Sequence, residues 1–135
     1  MDLHAEYGAG DALWLWKEDS QDGWGLHDFD EATDTWVERA FWRRLVSRPK
    51  PEAIAGQAQT WRYLADTGVL ELWFRGDDDV TAPNIIYIPA PEDYAPHFTV
   101  SCDGSAISVQ RDAATGQIQV PCNGDGGHYL RVEPN

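Results

Sequence analysis

The 135 residues carry a formal charge of −13, with 42% hydrophobic and 24% charged residues. That apolar content supports a packed core and excludes disorder as a whole-chain state, and the length fits one domain, or one and part of a second. The acidic balance excludes phosphate-backbone binding and anionic membrane surfaces, both of which need clustered Lys and Arg. No stretch approaches the roughly 20 apolar residues of a membrane span. The opening MDLHAEYGAGD has no basic stretch followed by an apolar run, so no signal peptide is expected in the chain as written.

The first element is ALWLW, from Ala12 to Trp16. It is too short for a helix and apolar on both faces, as a strand covered on two sides is. The polar, glycine-punctuated KEDSQDGWG after it predicts a loop. In TWVERAFWRRLVSRP, Thr35 and Glu38 have capping-box spacing. Trp36, Val37, Ala40, Phe41 and Leu45 recur at helical period, and Pro49 and Pro51 end the pattern. A helix from Thr35 is therefore expected. RPKPEAIAG reads as an extended connector. Beyond it the period becomes two. TWRYL and VLELWF flank the turn ADTG, and NIIYIP, HFTVSC, AISVQ, QIQVP and HYLRVEP follow, separated by Pro, DG, ATG and NGDGG turns. Seven short strands without an intervening helix predict an antiparallel, immunoglobulin-like β-sandwich over residues 51–135. The fold class is mainly β, with a strand, loop and helix over residues 1–50. A single strand buried on both faces needs neighbours that this stretch does not supply, so it reads as the end of a larger α/β domain.

Several residue groups invite a site reading. Cys102 and Cys122 end apolar alternating runs at CDG and CNG turns, without metal-ligand spacing. They stand either as a bridge, worth about 3 kcal/mol for a loop of that length, or as two buried thiols. A calcium loop starting at Asp28 fails, because Thr33 sits where glycine is needed and Arg39 where the bidentate Glu belongs. His27, Asp28, Asp30 and Asp34 then read as a solvated acidic loop, and Asp77, Asp78 and Asp79 as a charged turn. No metal and no cofactor is expected. Ser20, His27 and Asp28 show no sign of meeting as a triad, and GDGG at 124–127 lacks the following helix of a phosphate loop. Trp24 reads as loop packing, Trp36 and Trp42 as helix packing, and Trp61 and Trp73 as sheet residues. Trp14 and Trp16 have two readings, core packing and stacking on a sugar.

In order and spacing, ALWLWKEDSQDGWGLHD, RPKPEAIAG and the series VLELWF, APNIIYIPAPEDY, VSCDG and GGHYLRVEP resemble the C-terminal end of glycoside hydrolase family 5 enzymes of the endoglycoceramidase type. The resemblance implies that residues 1–50 are the last strand and helix of a (β/α)8 barrel and residues 51–135 a C-terminal β-sandwich. It implies a retaining glycosidase acting on β-glycosides of glycans or glycolipids. The acid/base and nucleophile glutamates would lie on barrel strands absent from this chain, so no catalytic residue is assigned here. Barrel enzymes build their sites at strand C-terminal ends. By resemblance Trp16 then stacks on the sugar, Trp14 lies deeper, and Lys17 and Glu18 bond hydroxyl groups. The partners implied are a glycan or glycolipid substrate and the missing barrel, with no nucleic acid and no membrane segment, and the complete protein would be secreted. The alternatives are a carbohydrate- or lipid-binding sandwich acting alone through Trp61, Tyr63, Trp73 or Tyr87, and a purely structural accessory domain.

Overall fold

The computed structural model describes residues 25–40 and 47–135. The ALWLW strand, most of the loop after it, and residues 41–46 of the expected helix lie outside the described residues. The chain divides into two compact units, one holding the described residues up to Ser47 and the other Arg48–Asn135.

In the first unit, β1 (His27–Asp30) and β2 (Thr35–Glu38) form an antiparallel hairpin. This corrects two expectations. The helix does not begin at Thr35, and the acidic stretch from His27 is not a loop. The turn between the strands supplies the reason. Asp30 accepts from Ala32 N–H at 3.0 Å and from the Thr33 hydroxyl at 2.8 Å. Asp34 adopts φ 54°, a left-handed conformation that Asp tolerates better than most residues. The Thr35 hydroxyl bonds Thr33 at 2.7 Å instead of capping a helix. Across the hairpin Phe29 packs on Trp36 with ring centroids 5.3 Å apart. Arg39 Nε donates to Asp28 at 2.7 Å.

The second unit is the antiparallel sandwich expected from the sequence. Its larger sheet runs β4 (Gly56–Leu64), β5 (Val69–Gly76), β10 (Gly126–Pro134), β7 (Phe98–Cys102), β8 (Ser105–Ile107). The smaller runs β3 (Lys50–Ala53), β6 (Asn84–Tyr87), β9 (Gln117–Val120). The β3 strand lies inside the stretch read as a connector. Pro49 just before it and Pro51 within it argue against a strand, but β3 is an edge strand with a register shift between Pro51 and Ala53, the setting in which a sheet tolerates proline.

Alternation puts one face of each strand inward. Leu70, Leu72 and Phe74 of β5, Leu130 and Val132 of β10 and Val100 of β7 meet Ile86 of β6 and Ile118 and Val120 of β9. Each such fully buried side chain stabilises by about 1.5–3 kcal/mol relative to exposure. Within this core Asn84 is fully buried. Its Oδ1 accepts from Ala55 N–H at 2.9 Å, and its Nδ2 donates to the carbonyls of Cys122 at 2.8 Å and Val120 at 3.3 Å. One amide thus satisfies irregular backbone on both sides of the small sheet.

Candidate functional site

The residues singled out as a sugar wall, Trp14, Trp16, Lys17 and Glu18, all lie outside the described residues. Within the sandwich, two side-chain clusters and one groove carry functional groups.

The first cluster stands on the outer face of the larger sheet, where β4, β5 and β10 lie side by side. Register sets Thr60, Trp73 and Tyr129 in one row and Arg62, Glu71 and Arg131 in the next. Trp73 and Tyr129 pack at 5.0 Å between centroids, and the Arg62 guanidinium lies 5.3 Å from the Trp73 ring. Glu71 accepts from the Tyr129 hydroxyl and from Arg62 Nε, both at 2.6 Å. Burial pushes the Glu71 carboxyl up, but the bonds from Tyr129 and Arg62 outweigh it and hold it below the ordinary range. Burial, with Glu71 beside it, pushes Tyr129 up to about 12. Glu71, Tyr129 and Arg62 thus satisfy one another, whereas the buried Arg131 Nε has no hydrogen-bond partner. Trp73 is engaged by both Arg62 and Tyr129, which is a poor arrangement for stacking a sugar.

The other aromatic residues named from the sequence are likewise occupied. Trp61 is partly buried against the core. Tyr63 is half-buried. Tyr87 has the Lys50 ammonium 5.5 Å from its ring centre. None of Trp61, Tyr63, Trp73 and Tyr87 is fully exposed.

The second cluster joins the two sheets at one end. Cys102 closes β7, Cys122 follows β9, and the two form a disulfide with Cα atoms 6.1 Å apart. Asp103 begins the turn between β7 and β8 at φ 50°. Its Oδ1 accepts from Tyr129 N–H at 2.8 Å, and its Oδ2 lies 2.8 Å from His128 Nδ1 and 3.6 Å from Cys102 Sγ. His128 Nε2 donates to the Gly124 carbonyl at 3.0 Å. With a carboxylate on one ring nitrogen and a carbonyl on the other, the charged imidazolium is favoured. Asp103, and after it Gly124, raises the His128 pKa, and His128 lowers that of Asp103. Gly76 makes the space for this ring. A Cβ there would collide with the Gly124 carbonyl and stand 2.9 Å from His128 Cδ2. Sequence reasoning placed the two cysteines at strand ends but missed Asp103 and His128, which are 25 positions apart and meet only through β7–β10 pairing.

The groove, about 680 Å³, lies beside the edge strand β9 and is lined by Ser108, Gln110, Arg111, Asp112, Gln117 and Gln119, among others. Arg111 Nε donates to the Ile88 carbonyl at 3.0 Å, and Gln117 donates to Glu52 at 2.8 Å. Among the described residues, no helix is long and apolar enough to cross a membrane.

Known proteins share this architecture. No curated protein sequence matches the chain. Among solved structures it is similar to endo-glycoceramidase II from Rhodococcus sp. The form determined as a lactosyl-enzyme intermediate has 24% identity and a TM-score of 0.65, with 98% of this chain and 27% of that chain covered. The form determined with ganglioside GM3 has 26% identity and a TM-score of 0.64, with 98% and 26% covered. The chain thus spans about a quarter of the length of those enzymes. The family model described as the glycoside hydrolase family 5 C-terminal domain matches residues 48–132, more than half of the chain and nearly the whole sandwich, and the chain belongs to that family.

Proposed function

We propose that this chain is the C-terminal part of a retaining glycoside hydrolase that cleaves β-glycosidic bonds in glycolipids or glycans, and that it is not catalytically complete by itself. The observation that carries the reading is coverage. The likeness to endo-glycoceramidase II takes in 98% of this chain but only 27% of that enzyme. Retaining hydrolysis requires two carboxyl groups about 5–5.5 Å apart and passes through a glycosyl-enzyme species, of which the lactosyl-enzyme form of that relative is an example. In this reading the two carboxylates come from a preceding (β/α) barrel ending in residues 1–50. Trp16 stacks on the sugar, Trp14 lies deeper, and Lys17 and Glu18 bond its hydroxyl groups. The sandwich of residues 51–135 braces the barrel. The engaged state of Trp61, Trp73 and Tyr87 supports a brace over a sugar-binding module.

The test is an assay of the complete protein, with any barrel encoded upstream, on glycosphingolipids and other β-glycosides. Release of an intact glycan from the lipid is expected, with no turnover by the 135-residue chain alone. Replacing Trp16 by Ala in the complete protein removes stacking worth about 0.5–1.5 kcal/mol, so kcat/KM falls about 2- to 13-fold. A complete protein inactive on every β-glycoside tried would refute the reading.

A further inference from the structure

The disulfide cluster contains more than a bridge. Cys102, Asp103, Cys122 and His128 each offer one metal-ligating atom, and those four atoms lie within 4.8 Å of one another. We propose that, when the Cys102–Cys122 bond is reduced, these four residues form a binding site for a thiophilic divalent cation of the zinc or cadmium type.

Two thiolates, an imidazole and a carboxylate make a donor set suited to tetrahedral zinc. Zinc–ligand bonds of about 2.0–2.3 Å place neighbouring donors roughly 3.3–3.8 Å apart. Asp103 Oδ2 and Cys102 Sγ, 3.6 Å apart, already have that spacing, while Asp103 Oδ2 and His128 Nδ1, 2.8 Å apart, must separate by about half an ångström and the sulfurs must part. Cα atoms 6.1 Å apart leave room for that by side-chain rotation.

The support around the ligands is already in place. A metal-bound histidine typically donates its other ring N–H to a carbonyl or carboxylate, which fixes the tautomer. His128 Nε2 does so toward Gly124 O at 3.0 Å, which turns Nδ1 toward the cluster. The bare backbone of Gly76 makes room for the ring in this pose. Asp103 is held through Oδ1 by Tyr129 N–H, leaving Oδ2 directed at both His128 and Cys102. Cys122 is buried, at 3% exposure, so one side of the site is shielded from water.

The ligands come from the end of β7 and the turn after it, the segment after β9, and β10, so the cation would tie the same two sheets that the disulfide ties. The chemistry balances as follows. A phosphine and water convert the disulfide to two thiols and the phosphine oxide. Cation binding then releases one proton from each thiol and one from the imidazolium.

The experiment uses the full chain, reduced with a water-soluble phosphine under argon and titrated with Co²⁺ and then Cd²⁺. The expected result is one equivalent bound, with thiolate charge-transfer absorption and the visible bands of tetrahedral cobalt. Neither signal should appear before reduction. His128→Gln is expected to weaken binding at least about 10-fold, the lower bound for groups that merely support a ligand, and Asp103→Asn should weaken it too. Absence of a one-to-one complex overturns the proposal. So does undiminished affinity in both variants, which would mean that the thiols bind metal without the built site. If reduction unfolds the chain, circular dichroism becomes the readout, because binding energy at such a site is folding energy. Metal is then expected to restore the β signal, and failure to restore it also overturns the proposal.

Discussion

Replacing Asn84 by Ala is the sharpest perturbation of the sandwich. Asn84 is fully buried, and its amide makes three bonds to main-chain groups of Ala55, Cys122 and Val120. Truncation leaves the Ala55 N–H without its acceptor and the Cys122 carbonyl without its 2.8 Å donor. A buried group stripped of its partner costs about 1–3 kcal/mol. The Val120 carbonyl also accepts from Cys122 N–H at 2.9 Å, so it keeps a partner and adds little. Two orphaned groups and a small cavity together give a loss of about 3 kcal/mol. For a domain of this size that lowers Tm by roughly 12–24 °C. Urea unfolding followed by tryptophan fluorescence measures it, with Gln119→Ala on exposed β9 surface as a control expected within about 0.5 kcal/mol of the parent. A loss below about 1 kcal/mol for Asn84→Ala would show that the amide is not what satisfies this backbone.

The His128–Asp103 pair makes stability depend on pH at both ends. His128 is raised, so its contribution is complete below its ordinary pKa of 6.5 and is lost as pH rises through the folded value. Asp103 is lowered, so its contribution is complete above 3.8 and is lost as pH falls through its folded value. The pair thus stabilises most between about 3.8 and 6.5. Asp103 is half exposed, and screening keeps the effect within about 1 kcal/mol. Denaturation measured from below pH 3.8 to well above pH 6.5 should lose its decline on the alkaline side in His128→Gln, and an unchanged profile would refute the assignment. The Cys102–Cys122 bridge predicts no titratable thiol in the denatured, unreduced chain. Its removal in Cys102→Ser/Cys122→Ser should cost about 3 kcal/mol in urea unfolding, from the 20-residue separation. Ultraviolet titration should find a tyrosine ionising at about 12 that disappears in Tyr129→Phe. The same change removes the bond to Glu71 and should destabilise by about 1–2 kcal/mol; loss of neither signal nor stability would mean that the bond is not formed in solution.

The sandwich was legible because a period of two survives in its central strands. From Leu70 to Phe74 and from Tyr129 to Val132 apolar residues alternate with polar or aromatic ones. The structure buries the first set and leaves Glu71, Trp73, Tyr129 and Arg131 on the outer face. The misreadings arose where a local pattern competed with a turn. Thr35 and Glu38 have capping-box spacing, but the Asp30 turn and the left-handed Asp34 fold that stretch back on His27–Asp30. The edge strand β3 was hidden by Pro49 and Pro51, since proline reads as a breaker unless the strand is known to lie at an edge. The His128–Asp103 contact left only a faint trace: an Asp-Gly turn directly after Cys102 and a histidine near the start of the last strand. Pairing of β7 with β10 brings them together, and no local spacing encodes that pairing.

The electrostatics of the sandwich bear on where chemistry can occur. A glycosidase acid must hold its proton near neutral pH, so its carboxyl is raised by burial or by a neighbouring carboxylate. Each described carboxylate that is displaced, namely Asp30, Glu71, Asp103 and Asp112, is displaced downward. Burial opposes the shift, most strongly at Glu71, and is outweighed by groups that stabilise the charged form. They are turn N–H and hydroxyl groups at Asp30 and Asp112, Tyr129 and Arg62 at Glu71, and His128 at Asp103. Such groups favour the anion and serve as hydrogen-bond acceptors that pin turns and strands. None has the environment of a proton donor. Placing the proton-transfer chemistry of the proposed hydrolase outside the sandwich therefore agrees with the sandwich's own chemistry. Its displaced carboxylates hold the fold.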